Sequence, residues 1–174
     1  MRDDELLRLR AARLARPSVA IADDGTPAVL VRIHDQQYAF PLADVRRAAV
    51  VAMVTPVPHA PTVVLGLGVS DGEVRAIFDG RIWAGGPSRT ERERIPVLLL
   101  GPSSAPLALA VDAHVGSTTL PRALTRTASA PDWLLGLTAD GVLVVRVAAL
   151  LEDPLFSPGN RPIEGVVDDH HEEA

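Results

Sequence analysis

The chain contains no cysteine and no lysine; all seventeen basic residues among its 174 are arginine. The missing cysteines exclude disulfides, thiol nucleophiles and every cysteine-ligated metal or cluster site. Aromatic residues make up only 3%, so few rings are available to stack on bases. With no lysine and a nearly neutral middle, the composition argues against a nucleic-acid surface. No apolar run approaches the ~20 residues needed to cross a bilayer. The N-terminus, MRDDELLRLR, is charged where a signal peptide would be apolar. The expectation is therefore a soluble, cytoplasmic protein without direct membrane insertion.

Hydrophobic residues account for 47% of the chain, carried by Val, Leu and Ala, which is enough to bury a real core in one domain or two small packed ones. The net charge of -5 is unevenly distributed. Residues 1–16 hold five Arg against Asp3, Asp4 and Glu5, a net of +2. Residues 17–151 come to -1, and residues 152–174 hold seven acids against Arg161, a net of -6. A neutral body between charged ends fits protein partners better than nucleic acid.

The stretch DDELLRLRAARLAR has acids first, Arg last, and Leu7, Ala11 and Leu14 spaced for one face; it reads as a short amphipathic helix that Pro17 ends. Such a helix packs on its own domain, frays in solvent or serves as a docking arm for a partner; alone it is marginal in water. SVAIADDGTPA then reads as a linker.

From Val29 the period changes to two. VLVRI and YAFPL flank a polar turn, HDQQ. Asp44 caps a single turn, Ala49 to Thr55 form a strand, and TPVPHAP breaks it. Two strands follow, joined at Asp71-Gly72, a pair suited to a tight primed hairpin with positive φ at both central residues. GGPSRTERER reads as a surface loop, and IPVLLL, PLALAVD and VGSTTL are three more strand candidates. The stretch LGLGVSDGEV, from Leu65, then recurs as LGLTADGVLV, from Leu135, with Asp140-Gly141 as its turn. AALLED is a last helical turn. About ten short strands without long helices predict an all-β barrel or sandwich, and the repeated hairpin predicts two similar barrels.

Catalytic arrangements are weak. Paired Asp-Gly turns in a two-part β protein invite an aspartic-protease dyad, but SDG, FDG and ADG lack the hydroxyl residue after each aspartate, and turn chemistry accounts for Asp71 and Asp140. No G-x-S-x-G occurs, and His34, His59 and His114 are scattered. No catalytic residue is expected, nor any cofactor. The tail DDHHEEA holds competent metal ligands, yet its composition favours a solubilising end, so no metal site is expected. His59 and His114 read as ordinary surface residues. Trp83 and Trp133 are candidates for interface anchors or for core packing.

The order of the segments resembles the CheW-like domain. Tyr38, Ala39, Pro41, Leu42 and Val45 match its opening; Pro58, Pro61, Val64 and Gly66 its link; Asp79 a strand end. Val111, Asp112 and Val115 match a later segment, Gly136 the next, and Leu150 and Leu151 the last. The resemblance implies a pair of five-stranded, SH3-like β-barrels spanning residues 28–152, preceded by a helix and linker over 1–27 and followed by an acidic, flexible tail over 153–174. It implies a non-catalytic adaptor between the cytoplasmic tip of a chemoreceptor and the regulatory domain of a CheA-type histidine kinase, a monomer that joins larger arrays. The implied interface is Val69, Asp71, Gly72 and Val74 on the first hairpin, with Asp112 and Val115 on the other barrel.

Two departures accompany the resemblance. Asp71 stands where the family usually has an arginine, which puts an anion where a cation is expected, and Val147-Ala148-Ala149 lacks the family's acid. The alternatives are a CheW-like adaptor of another process, such as motility or development, and a small β-barrel ligand-binding or enzyme module.

Overall fold

Strand β1 (Thr26–Ile33) turns through His34 and Asp35 into β2 (Gln36–Pro41), and a single 3-10 turn at Leu42–Asp44 leads into the long β3 (Val45–Thr55). These elements come from a computed structural model that describes residues 25–102, 106–126 and 128–156. The expected N-terminal helix and nearly all of the expected tail lie outside the described residues. Asp44 closes the 3-10 turn rather than capping it; the N-cap position is Pro41.

Strands β4 (Val64–Ser70) and β5 (Glu73–Asp79) follow, then a short helix α1 (Gly80–Trp83) absent from the sequence reading. Asp79 starts α1 because its carboxylate accepts the Arg81 amide. Next come β6 (Glu93–Leu100), β7 (Leu107–Ala110), β8 (Ala113–Leu120), β9 (Leu134–Leu137), β10 (Leu143–Val145), α2 (Val147–Leu151) and a 3-10 turn at Pro154–Phe156.

The ten strands divide into two five-stranded sheets. One closes into a barrel in the order β3-β4-β5-β7-β6, and the other runs β8-β1-β2-β10-β9. The second sheet is assembled from both ends of the chain, with β10 running parallel to β2. The segment after β8 meets the outer strand β9 at one place, where Thr125 exchanges two backbone hydrogen bonds with Leu137 at 2.9 and 2.7 Å. One sheet is thus a closed barrel, while the other is an open sheet whose edge strand β9 carries one isolated bridge.

The repeated Leu-Gly-Leu has a structural counterpart. Thr55 pairs with Leu67 in the barrel, and Thr125, seventy residues on, pairs with Leu137. Val64 donates to the Pro61 carbonyl at 2.8 Å, as Leu134 does to Pro131 at 2.9 Å. Asp79 donates to the Val63 carbonyl and Arg146 to that of Trp133, both at 2.7 Å, and each donor leads directly into a short helix. Glycine is required at Gly66 and Gly136 because a β-carbon would stand 2.3 Å from the Thr55 carbonyl oxygen and 2.9 Å from that of Thr125. The repeat is a strand crossing, written twice, that brings the backbone too close for any side chain.

Val51, Val54, Leu65, Ile77, Ile95, Val97 and Leu99 fill the barrel. A larger core lies between the halves, joining Val31, Ile33, Tyr38 and Phe40 to Phe78, Leu98, Leu100 and Leu109. Trp83 packs there against Tyr38 and Trp133, with ring centroids 5.3 and 4.7 Å apart, so both tryptophans serve packing. Burial raises the pKa of the Tyr38 hydroxyl. Phe156 is also buried, edge-on to Phe78 at 5.4 Å. The core therefore reaches three residues past the Asp153 at which the tail was expected to begin.

Candidate protein-interaction surface

At the tip of the β4–β5 hairpin, Asp71 and Gly72 take φ of 55° and 77°, the positive pair that a primed turn demands. The turn fixes the register, so Val69 pairs with Val74 and Leu67 with Ala76 on the outer side of the barrel. Along β5 this face changes character with distance from the turn. Phe78 is buried in the inter-sheet core, Ala76 packs at its margin, and Val74 is 69% exposed. Val69 is 59% exposed, and Leu67 is exposed beside it. Strand β3 extends the patch: its Val54 pairs with Gly68, and the next residue, Met53, is 60% exposed. The core thus continues to the surface as an apolar ribbon. Sequence reading found Val69 and Val74 but not Met53 or Leu67; the unbroken apolar run AAVVAMV of β3, longer than alternation requires, was the available signal.

The charge at the tip differs from the expectation of a bare anion. Arg47 of β3 forms an ion pair with the Asp71 carboxylate, and both groups stay accessible. The tip therefore presents a neutral, solvent-accessible ion pair. Glu73 and Arg75 form a second pair on the opposite face of the hairpin.

Asp112, in the turn between β7 and β8, faces inward. Its Oδ1 accepts from Arg81 Nε at 2.8 Å and from Arg89 Nη2 at 3.0 Å, and its Oδ2 accepts from the His34 amide at 2.7 Å. Arg89 is only 4% exposed and reaches Asp79, at 0% exposed, through Nε at 3.3 Å. Ser88 Oγ and the Arg89 amide complete the shell of Asp79, at 2.8 and 2.9 Å. Burial pushes the Asp79 pKa up, but hydrogen bonds from the Arg89 amide, Ser88 and the Arg81 amide, with the Arg89 charge, outweigh it and hold the group below 3.8. This network bolts the loop after α1, and the β1–β2 turn of the second sheet, onto the barrel. The stretch read as a surface loop thus supplies a buried arginine, the counter-ion that a buried Asp79 needs, and no local sequence signal announced it.

Val115 is exposed on β8, in the second sheet. The fold gathers Val69, Asp71, Gly72 and Val74 at one tip, gives Asp112 to the internal network, and leaves Val115 on the other sheet. His114 Nε2 lies 3.1 Å from the Val97 carbonyl, a contact between the halves. Among the described residues no cluster of three or more metal-ligating side chains exists, and no helix is long and apolar enough to cross a membrane. The DDHHEEA motif lies outside the described residues.

No curated protein matches the chain. Among solved structures, the scaffolding protein TtCheW from Thermoanaerobacter tengcongensis is similar in fold, with a TM-score of 0.59 at 14% identity, over 70% of this chain and 89% of that one. The family model for the CheW-like domain matches residues 27–155. That span holds all ten strands but one residue of β1, both sheets, and the hairpin with its apolar ribbon, and by that match the chain belongs to the CheW-like family.

Proposed function

We propose that this protein is a non-catalytic adaptor that couples the cytoplasmic tip of a chemoreceptor to the regulatory domain of a CheA-type histidine kinase. The observation that carries the reading is the apolar ribbon, Met53, Leu67, Val69 and Val74, running from the inter-sheet core to an exposed hairpin tip in a CheW-like fold. Exposed apolar surface continuous with a core marks a docking face. In this reading the apolar side of a helical receptor tip would lie on it. The second five-stranded sheet then corresponds to the second SH3-like barrel, and the adaptor works as a cytoplasmic monomer that joins arrays.

Titration calorimetry of the wild type against receptor-tip and kinase regulatory-domain fragments tests the proposal. Val69→Asp with Val74→Asp is expected to abolish binding to one of the two while leaving unfolding unchanged, since both side chains are already exposed. Absence of binding to either fragment by the wild type refutes it. The Arg47–Asp71 pair favours a second reading, an adaptor of a pathway other than chemotaxis, because a partner must meet a neutral pair there. Binding to a kinase from such a pathway, with none to receptor tips, would select it.

A further inference from the structure

The two sheets are unequally filled. Nine buried residues occupy the barrel. The third cluster, within the second sheet, has only Ala28, Ala39, Leu120 and Val144 buried, and leaves Leu30, Leu124, Leu135 and Val142 partly open. A cleft of about 450 Å³ opens onto this face, and Leu30, Leu120, Pro121, Thr138, Ala139 and Val142 are among its lining residues. Leu30 and Val142, partly open and lining the cleft, amount to apolar burial left undone.

The chain enters the described structure at the rim of that cleft. Thr26 pairs with Leu120. Just before it, Gly25 passes so close that a β-carbon would stand 2.5 Å from both the Leu120 carbonyl oxygen and Thr119 Cγ2, and both residues line the cleft. The first described residue thus lies at the cleft's edge.

We propose that residues 1–16 dock in this cleft as an amphipathic helix, with Leu7, Ala11 and Leu14 completing the core of the second sheet. The helix face is apolar at the right spacing, and so short a helix gains most of its stability from a surface to pack on. Residues 17–24 reach about 26 Å when extended, at ~3.3 Å per residue, and a fourteen-residue helix is about 21 Å long; the arm can fold back over the sheet. Its net charge of +2 is complementary to Asp140, an acidic residue lining the cleft. This docking is independent of the adaptor reading and concerns a different face from the hairpin ribbon.

The absence of cysteine allows a clean test in the full chain. A nitroxide on Ala139→Cys, an exposed turn position, is expected to broaden the amide resonances of residues 6–14, and helical chemical shifts are expected for the same residues. Leu7→Asp, a change outside the described domain, is expected to return them to sharp coil resonances with the remaining spectrum unchanged. Residues 1–16 with coil shifts, and no more broadened than residues 168–174, overturn the proposal. So does broadening seen only when isotope-labelled chains are mixed with spin-labelled ones, because the arm then docks on a second copy.

Discussion

Replacing Arg89 with alanine removes the counter-ion of an aspartate that has no solvent exposure. The Arg89 amide, Ser88 Oγ and the Arg81 amide would still reach the Asp79 carboxylate. They supply hydrogen bonds without compensating its charge, and Asp112 would keep only Arg81 and the His34 amide. Breaking a buried ion pair from one side costs about 3–5 kcal/mol, far more than the pair's net worth, because an uncompensated charge stays behind. Arg81 provides the control. Its side chain is more open, and Asp112 retains Arg89 without it, so Arg81→Ala is expected to cost about 1 kcal/mol. Urea unfolding followed by circular dichroism at neutral pH measures both. Equal losses for the two variants, or a loss for Arg89→Ala of under about 1 kcal/mol, would refute the idea that burial sets the hierarchy. The pH dependence is a second check. Asp79 titrates below 3.8 when folded, so it binds fewer protons in the folded state than in the unfolded one. Its contribution is complete above its unfolded value and is lost as pH falls through the lower folded value. The stability gap between wild type and Asp79→Asn should therefore hold from neutrality to about pH 4 and shrink below it; a gap that widens on acidification would contradict the assignment.

Three further outcomes are expected. Deleting residues 157–174 should leave the unfolding midpoint within the small range of surface changes, whereas Phe156→Ala should cost about 3–5 kcal/mol because the ring is buried against Phe78; equal effects in thermal melts would mean that the tail itself packs. Asp71→Arg should change stability by no more than about 1 kcal/mol, since its pair with Arg47 is exposed, while weakening the native partner by about 1–3 kcal/mol in calorimetry if the tip is desolvated on binding; unchanged affinity would reduce Asp71 to a turn residue. Gly66→Ala and Gly136→Ala should both destabilise, Gly66 more, in line with the nearer approach of the Thr55 carbonyl, and the reverse order in urea titrations would show that the crossings are not equivalent.

Local features were legible because local geometry decides them. Asp71-Gly72 announces its hairpin, since few other pairs accept two consecutive positive φ values, and the alternation in VLVRI and YAFPL sets which side chains face in. The duplication at Leu65 and Leu135 was visible as a repeat, and its register seventy residues apart survives in the paired Thr55–Leu67 and Thr125–Leu137. Family membership followed from the order of such segments.

What only the tertiary structure decided concerns residues whose partners are distant in the chain. Pairing β2 with β10, Tyr38 beside Leu143, assembles a sheet from the two ends, and nothing local in YAFPL specifies that neighbour. The role of Arg89 depends on Asp79 being taken out of water, which happens only when the barrel closes over it. Arg47 neutralises Asp71 because β3 runs alongside the hairpin, so a site that reads as an anion in the chain is a neutral pair in the fold. Backbone preference and hydrophobic period act over a few residues and are written in the sequence; burial and charge compensation depend on what else arrives at the same place, and here the fold alone determines that.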